Sequence, residues 1–171
     1  MLRLHKAFFA SLVFAALCLG SGAVARADTL TLTLPDYNGT FSIGPFPGPS
    51  LTVGTFSFTI PAGQQIVAAT LGGTFGNLVN GTSAPVNLRL DNFQVAQCAP
   101  GAPCTGAFGT TGPTSFTFNF APAQFSLLTD GAATLALSQL GPGAVRLGGL
   151  ALTIQTAAPV PEPATLFLLG T

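Results

Sequence analysis

Several residue types that usually carry chemistry are scarce or absent in this chain of 171 residues. It has no Trp, one Tyr and one His, and only 6% of its residues are charged, against about 25% in an average soluble protein. The single His and the single Lys are His5 and Lys6. No His or Lys therefore remains downstream to activate a Ser or Thr nucleophile or to build a metal site, and we predict that the chain is not an enzyme.

Paired carboxylates are the remaining route to acid–base chemistry, for example on a glycosidic bond. The candidates Asp36, Asp91 and Asp130 are far apart in the sequence. Asp91 precedes Asn92 and Asp130 precedes Gly131, which are turn dipeptides, so turn roles are expected for both. A structural calcium ion held by Asp36 or Asp130 stays open as an alternative. No other metal and no organic cofactor is predicted.

The first 27 residues predict a secretory signal peptide. A charged start, Arg3 to Lys6, precedes an apolar stretch from Ala7 to Leu19, which is too short to span a membrane. Small residues at Ala25 and Ala27 predict cleavage before Asp28. A retained anchor helix is the alternative interpretation.

Downstream of this leader the basic residues are Arg89 and Arg146, against five acidic residues. Such a surface has little to neutralise phosphates, so nucleic-acid binding is not predicted. Two cysteines remain, Cys98 and Cys104. In an exported chain this spacing predicts a disulfide across a short loop, and closing so small a loop contributes about 2.4 kcal/mol in the chain-entropy treatment.

Apolar and polar residues alternate with a period of two through most of the chain, as expected for strands with one buried and one solvated face. The clearest apolar series are Leu30, Leu32 and Leu34; Phe56, Phe58 and Ile60; Phe116, Phe118 and Phe120; and Leu150, Leu152 and Ile154. Such runs, separated by turn residues, predict an all-β fold. We expect a single antiparallel β-sandwich, jelly-roll-like, over residues 28–156, with the signal helix before it and a short tail after it.

Turn signals separate these runs. Val86–Leu90 and Phe93–Gln97 flank Asp91 and Asn92, two residues that tolerate positive φ, and this pattern predicts a two-residue hairpin. A bulge is expected at Gly54, where the alternation changes phase. Loops or turns are also predicted at Gly44–Pro49, Pro100–Pro103 and Gly141–Gly143, and at Asn38-Gly39.

Polar side chains on the outward phase of the predicted strands are the candidate ligand-binding groups. Amide and guanidinium groups suit sugar hydroxyls because they offer donors and acceptors in fixed geometry. Tyr37, predicted in a loop, is a candidate for stacking on a sugar ring. The alternative is that these residues only keep a half-buried sheet solvated. The candidate set is Asn87, Arg89, Gln139, Arg146 and Tyr37.

The last residues carry the most specific motif. Val160, Pro161, Glu162, Pro163, Ala164 and Thr165 follow an Ala-Pro linker and lead into the apolar run Leu166–Gly170. This string resembles the sorting signal of PEP-CTERM proteins, whose tail holds the exported protein in the membrane until an exosortase processes it. Members of that family continue into a full membrane span closed by a basic cluster. Residues 157–171 are therefore expected to be a linker and a truncated form of the signal; a stiff proline-rich spacer is the alternative.

The resemblance implies delivery to the cell surface or extracellular matrix of a Gram-negative-type bacterium. Its implied partners are an exosortase and the secretion machinery, with membrane contact only through the C-terminal tail. PEP-CTERM proteins are associated with exopolysaccharide and biofilm formation, so the leading hypothesis is a non-enzymatic matrix protein with exopolysaccharide as a partner. The alternative hypothesis is a dedicated carbohydrate-binding module with a defined glycan site.

Overall fold

The computed structural model describes residues 27–43, 50–77, 85–99, 101–105, 113–139 and 141–159. Residues Ala27–Ala157 form one compact unit, and no helix within the described ranges is long and apolar enough to cross a membrane. The described elements are β1 (Ala27–Thr33), β2 (Tyr37–Ile43), β3 (Leu51–Ser57), β4 (Gln65–Asn77), β5 (Val86–Leu90), β6 (Phe93–Cys98), β7 (Thr114–Asn119), a 3₁₀ helix (Pro122–Leu128), β8 (Ala132–Gln139) and β9 (Gly141–Ala157).

The strands form two antiparallel sheets that share one core. Sheet A has the order β1-β9-β4-β7, with β2 also paired to β9, and sheet B has the order β3-β8-β5-β6. If β2 is left out, the other eight strands pair from the ends of the chain inwards: β1 with β9, β3 with β8, β4 with β7, and β5 with β6. This is the arrangement of a jelly roll, and it confirms the predicted fold class.

Alternation along the strands puts the apolar residues between the sheets. The large side chains that are completely buried come from both sheets and include Leu71, Leu88, Leu135, Leu137, Leu152 and Ile154. The three predicted rings of Phe116, Phe118 and Phe120, in β7 and directly after it, also pack against the core. Phe116 contacts Phe75, and Phe118 contacts both Phe93 and Phe120. Burial of this continuous apolar layer is the main term that stabilises the sandwich.

The predicted hairpin and bulge are confirmed. Strands β5 and β6 pair around Asp91 and Asn92, whose φ angles are 45° and 68°. Both values are positive, as a two-residue hairpin turn that follows the twist of its strands requires. The pairing of β3 with β8 shifts register between Thr52 and Gly54, so the change of alternation marks a real irregularity in the ladder.

Two predicted turns are wrong, because the residues lie in strands. Gly141–Gly143 open β9 and pair with Phe41–Ile43 of β2, and Asn38 pairs with Arg146. Strand β9 begins its pairing with β4 only at Val145. Proline is tolerated where a strand is paired on one side only, so Pro142 does not break the strand. Gly44–Pro49 and Pro100 lie outside the described residues, whereas residues 101–104 form turns and a bend.

Candidate functional site

The structure divides the predicted ligand-binding residues between the two sheets. Asn87 and Arg89 lie two residues apart on β5 in sheet B, and Gln139 ends the neighbouring strand β8. Arg146 lies on β9 and Tyr37 at the start of β2, both in sheet A. Asn87 and Arg89 share the outward phase of β5, as predicted, but Gln139 pairs with the core residue Val86, so its register position is not on the outward phase. Tyr37 lies in a strand and not in the predicted loop, and it pairs with the core residue Leu147, one position along β9 from Arg146. The fold does not bring the two arginines together.

The outward side of sheet B, which we call the sheet-B face, is polar and internally hydrogen-bonded. Gln97 Nε2 donates to Asn87 Oδ1 at 2.8 Å across the β5–β6 pair, and the hydroxyls of Thr55 and Thr134 lie 3.1 Å apart across the β3–β8 pair. Each side chain thus orients its neighbour. The outward polar residues include Thr52, Thr55, Asn87, Arg89, Gln94, Gln97, Thr134 and Ser138.

Arg89 is the one basic residue of the sheet-B face, and its guanidinium is half-buried. Its Nη1 donates to the carbonyl of Asn92 at 3.1 Å, across the hairpin turn. Its Nε is buried without a hydrogen-bond partner among the described residues, and so is Ser138 Oγ on the next strand. Because both atoms are covered, a ligand would reach them only after neighbouring side chains move.

Tyr37 and Arg146 differ in how far they are open to solvent. Tyr37 is partly buried and packs against the core. Its ring lies beside Gly39, where an added Cβ would come within 2.7 Å of the phenol oxygen. Arg146 is exposed on the neighbouring strand. The ring is therefore a packing element of sheet A, and Arg146 is the accessible member of the pair.

The three candidate carboxylates each accept a hydrogen bond from a backbone N–H. Asp91 accepts from Thr134 at 2.9 Å, Asp130 from Ala132 at 3.1 Å, and Asp36 from Gly149 at 3.0 Å. The turn role expected for Asp130 is confirmed by its bond to the N–H two residues on. That of Asp91 is confirmed by its position in the β5–β6 turn, while its carboxylate binds the neighbouring strand β8. Within the described ranges no three His, Cys, Asp or Glu residues cluster in a way that would hold a metal ion.

The predicted disulfide between Cys98 and Cys104 is present, with the Cα atoms 5.8 Å apart. Both cysteines are buried. Cys98 ends β6 of sheet B, while the carbonyl of Cys104 accepts a hydrogen bond of 2.8 Å from the N–H of Asn77, at the end of β4 in sheet A. The bond therefore links the two sheets at this end of the sandwich rather than closing a loop alone.

Some predicted positions lie outside the described residues, namely Ala25 of the predicted leader and the predicted sorting motif Val160–Thr165. Ala27 and Asp28, which flank the predicted cleavage, open β1 and pair with Ala157 and Thr156. Asp28 Oδ2 accepts a hydrogen bond of 2.6 Å from Gln64 Nε2, and Gln64 in turn accepts from the buried Thr156 hydroxyl.

The outward side of sheet A, which we call the sheet-A face, carries one predicted binding residue, Arg146, but its hydroxyl groups were not predicted as a site. It is rich in hydroxyl groups, and it includes Thr29, Thr31, Thr33, Thr70, Thr117, Asn119, Thr153 and Gln155. The alternation in β1, β4, β7 and β9 places each of these side chains on the side of its strand that faces away from the core. No local pattern shows that these strands are neighbours.

No protein-family model and no curated protein matches the chain. Among solved structures it is similar to that of the Gt strain of infectious bursal disease virus, with 19% identity over 78% of this chain and 33% of that chain and a TM-score of 0.42. It is also similar to dimeric latent PorU from Porphyromonas gingivalis, with 11% identity over 81% of this chain and 14% of that one and a TM-score of 0.41. The C-terminal domain of EclA, a sugar-binding protein, matches at 19% identity over 76% of this chain and 79% of that one, with a TM-score of 0.35.

This chain thus spans a third or less of the length of the first two structures. All three similarities have TM-scores below 0.5 and identities below 20%. Similarities of this size are too weak to indicate a ligand or a function.

Proposed function

We propose that this is an exported, non-enzymatic protein of the cell surface or extracellular matrix that associates with exopolysaccharide. The observation that carries the proposal is the chemistry of the two outer faces. Both present hydroxyl and amide groups from rigid strands, and Arg89 is the one basic residue among those of the sheet-B face. Such groups match the hydroxyls of a hydrated polymer in donor and acceptor character.

The expected mode of association is passive. Each exchange of a water hydrogen bond for a polymer hydrogen bond contributes little, about 1 kcal/mol or less, so affinity comes from many contacts over a broad surface. The sheets hold these side chains in place before binding, which lowers the ordering cost of each contact. The faces need no catalytic group to act in this way.

Export is supported by the disulfide and by the leader. A buried disulfide is typical of proteins that fold in an oxidising compartment, and Cys98 and Cys104 form one here. Sorting by an exosortase is supported by the resemblance of Val160–Thr165 to the PEP-CTERM signal. In this proposal the leader delivers the chain, the tail directs its release or anchoring at the surface, and the jelly roll contacts the polymer.

The test separates delivery from polymer association. The full chain is expressed in a bacterium that has an exosortase and an exopolysaccharide matrix, and its distribution among cell, matrix and medium is measured. We expect the wild-type chain in the matrix fraction. Changing Pro161, Glu162 and Pro163 together to Ala should reduce that fraction several-fold. The purified variant should still sediment with the isolated exopolysaccharide as the wild-type chain does.

Two results would contradict the proposal. A wild-type chain that stays in the cytoplasm would remove the export step. A folded, exported chain that does not sediment with the isolated exopolysaccharide would remove the polymer association, whatever the effect of the motif variant.

A further inference from the structure

A cleft of about 270 Å³ opens on the sheet-A face, at the corner where β4, β7, β9 and the 3₁₀ helix meet. It lies on the opposite sheet from Asn87 and Arg89. Its main polar lining is Thr70, Asn119, Thr153 and Gln155, and its main apolar lining is Val67, Pro122 and Phe125. All of these residues are within the described part of the chain.

A bulge in β4 and a turn after β7 build the cleft. The pairing of β4 with β9 shifts register between Ile66 and Ala68, which turns Val67 outward. Val67 is 45% exposed, and among the described residues it is the single large hydrophobic side chain that is exposed. On the other side, Phe120 N–H donates to the carbonyl of Ala69 at 3.0 Å, and this contact starts the turn into the 3₁₀ helix.

The 3₁₀ helix forms the second wall and is fixed at its start. Pro122 stands at its first turn, where a missing N–H is tolerated, and Gln124 Oε1 accepts a hydrogen bond of 2.8 Å from the N–H of Ala121. This places Pro122, which is exposed, and Phe125, which is partly buried, beside the cleft. The wall is thus apolar and preformed.

The floor carries a row of polar side chains across three strands. Thr70 is paired with Thr153 on one side and with Asn119 on the other, and Gln155 lies two residues along β9 from Thr153. Neighbouring strands are about 4.8 Å apart, so the row presents a hydroxyl, a second hydroxyl and an amide at that spacing. No side-chain hydrogen bond between described residues engages any of these four groups.

The chemistry of the lining restricts the ligand. No lining residue is charged, so the cleft has no partner for a carboxylate, a phosphate or an amine. Two hydroxyls and two amides supply both donors and acceptors. The volume is slightly below the range of about 300–1,000 Å³ that drug-sized ligands occupy, which suits one ring. An apolar wall beside polar groups matches a pyranose, which has a C–H face and a rim of hydroxyls.

We propose that this cleft binds one uncharged sugar ring, held by Thr70, Asn119, Thr153 and Gln155 with its C–H face against Phe125. This inference rests on the proposed function, because the bound ring would be an uncharged sugar unit of the associated polysaccharide. It assigns recognition to the part of the sheet-A face around Thr153 and Gln155, which lie farther along β9 than Arg146 and on the opposite sheet from Arg89.

The experiment uses the full chain, isotopically labelled and exported so that the disulfide forms. Backbone amide shifts are followed by NMR during titration with methyl glycosides of glucose, galactose and mannose, and with glucuronate and glucosamine as charged probes. We expect saturable shifts at the amides of Thr70, Asn119, Thr153 and Gln155 with at least one neutral glycoside. Binding of the charged probes should be at least tenfold weaker.

Matched variants locate the site. Thr70→Val and Asn119→Ala should each weaken binding of the preferred glycoside about tenfold, and Phe125→Leu should weaken it about fivefold. Thr59→Val makes the same change at an exposed position that follows β3 and belongs to neither face, and it should leave affinity unchanged. Thermal unfolding of each variant within a few degrees of wild type shows that the loss is local.

The outcomes distinguish this inference from the proposed function. Absence of saturable shifts at the four residues with every neutral glycoside overturns the cleft assignment, as does unchanged affinity in both Thr70→Val and Asn119→Ala. If the chain nonetheless sediments with exopolysaccharide, the proposed function stands and another surface carries it. If the cleft binds a glycoside but the chain does not sediment with the polymer, the cleft assignment stands and the matrix role fails.

Discussion

The two outer faces of the sandwich have similar compositions and different hydrogen bonding. On the sheet-B face the polar groups bind one another, as in the pair Asn87–Gln97 and the pair Thr55–Thr134. In the sheet-A cleft, Thr70 and Asn119 are also cross-strand neighbours, but no such bond joins them. A polar group that is hydrogen-bonded to its neighbour must break that bond before it can bind a ligand. Composition alone therefore does not indicate which face is available to a ligand.

The largest expected loss of stability comes from removing the disulfide, which links the two sheets that carry these faces. Replacing Cys98 and Cys104 together by Ala should lower the free energy of unfolding by about 2.4 kcal/mol, because the unfolded chain is no longer constrained. Guanidinium denaturation at equilibrium measures the loss, and the reduced wild-type chain is the control. A loss below about 1 kcal/mol in both would show that the Asn77–Cys104 contact holds this end of the sandwich without the disulfide.

The next prediction compares the loss in free energy of unfolding when a carboxylate is removed from each sheet. Asp91→Ala should cost about 2 kcal/mol, because it removes the bond to the N–H of Thr134 and puts Ala at a φ of 45°. Asp36→Ala should cost about 1 kcal/mol, because it removes only the bond to the N–H of Gly149. Thermal and chemical unfolding give both values. Asp91→Gly, which relieves the backbone but lacks the acceptor, should fall between them; equal losses in the two Ala variants would contradict the difference.

Double-mutant cycles test the difference between the faces directly. Asn87→Ala and Gln97→Ala should show a coupling energy of about 0.5 kcal/mol, since each removes the other's partner. Thr70→Ala and Asn119→Ala, which are also cross-strand neighbours, should be additive in the free energy of unfolding. Chemical denaturation of the four single variants and two double variants supplies the cycles. Equal coupling on both faces would remove the basis for assigning recognition to sheet A.

An effect of the same small size is expected at the covered hydroxyl of Ser138 on the sheet-B face. Ser138 Oγ is buried without a partner among the described residues, and such a group costs free energy in the folded state. Ser138→Ala should therefore raise the free energy of unfolding by about 0.5 kcal/mol, with Thr134→Ala, which loses its contact to Thr55, as a destabilising control. A destabilised Ser138→Ala protein would instead show that the hydroxyl is satisfied, for example by bound water.

Much of the fold could be predicted because its signals are local. The phase of Leu30 and Leu32, the Asp91-Asn92 turn and the irregularity at Gly54 each depend on a few adjacent residues. Local signals also caused the errors. Asn38-Gly39 and Gly141–Gly143 have the composition of turns, but the pairing of β2 with β9 holds them in strands. Cross-strand hydrogen bonds thus outweighed the local preference of these residues for turns.

The sequence predicted which types of residue the candidate site contains, but not which of those residues lie next to each other. Asn87 and Arg89 were correctly placed on the outward phase of one strand, but Arg146 was grouped with them although it lies in the other sheet. The cleft residues Thr70 and Thr153 were not singled out, because their neighbourhood joins strands that are distant in sequence.

The sequence by itself determined the strand character and the inward and outward phase of most strands, with β2 and the start of β9 as exceptions, and it determined the hairpin and the disulfide. These follow from the period of the pleat and from chain geometry over a few residues. Only the tertiary structure decided which strands are neighbours, and hence that Thr70, Thr153 and Asn119 form a row while Arg89 and Arg146 lie apart. Side-chain alternation is local, and it assigns a residue to one face of its own strand. Which strand lies next to it depends on how all the strands pack around the core.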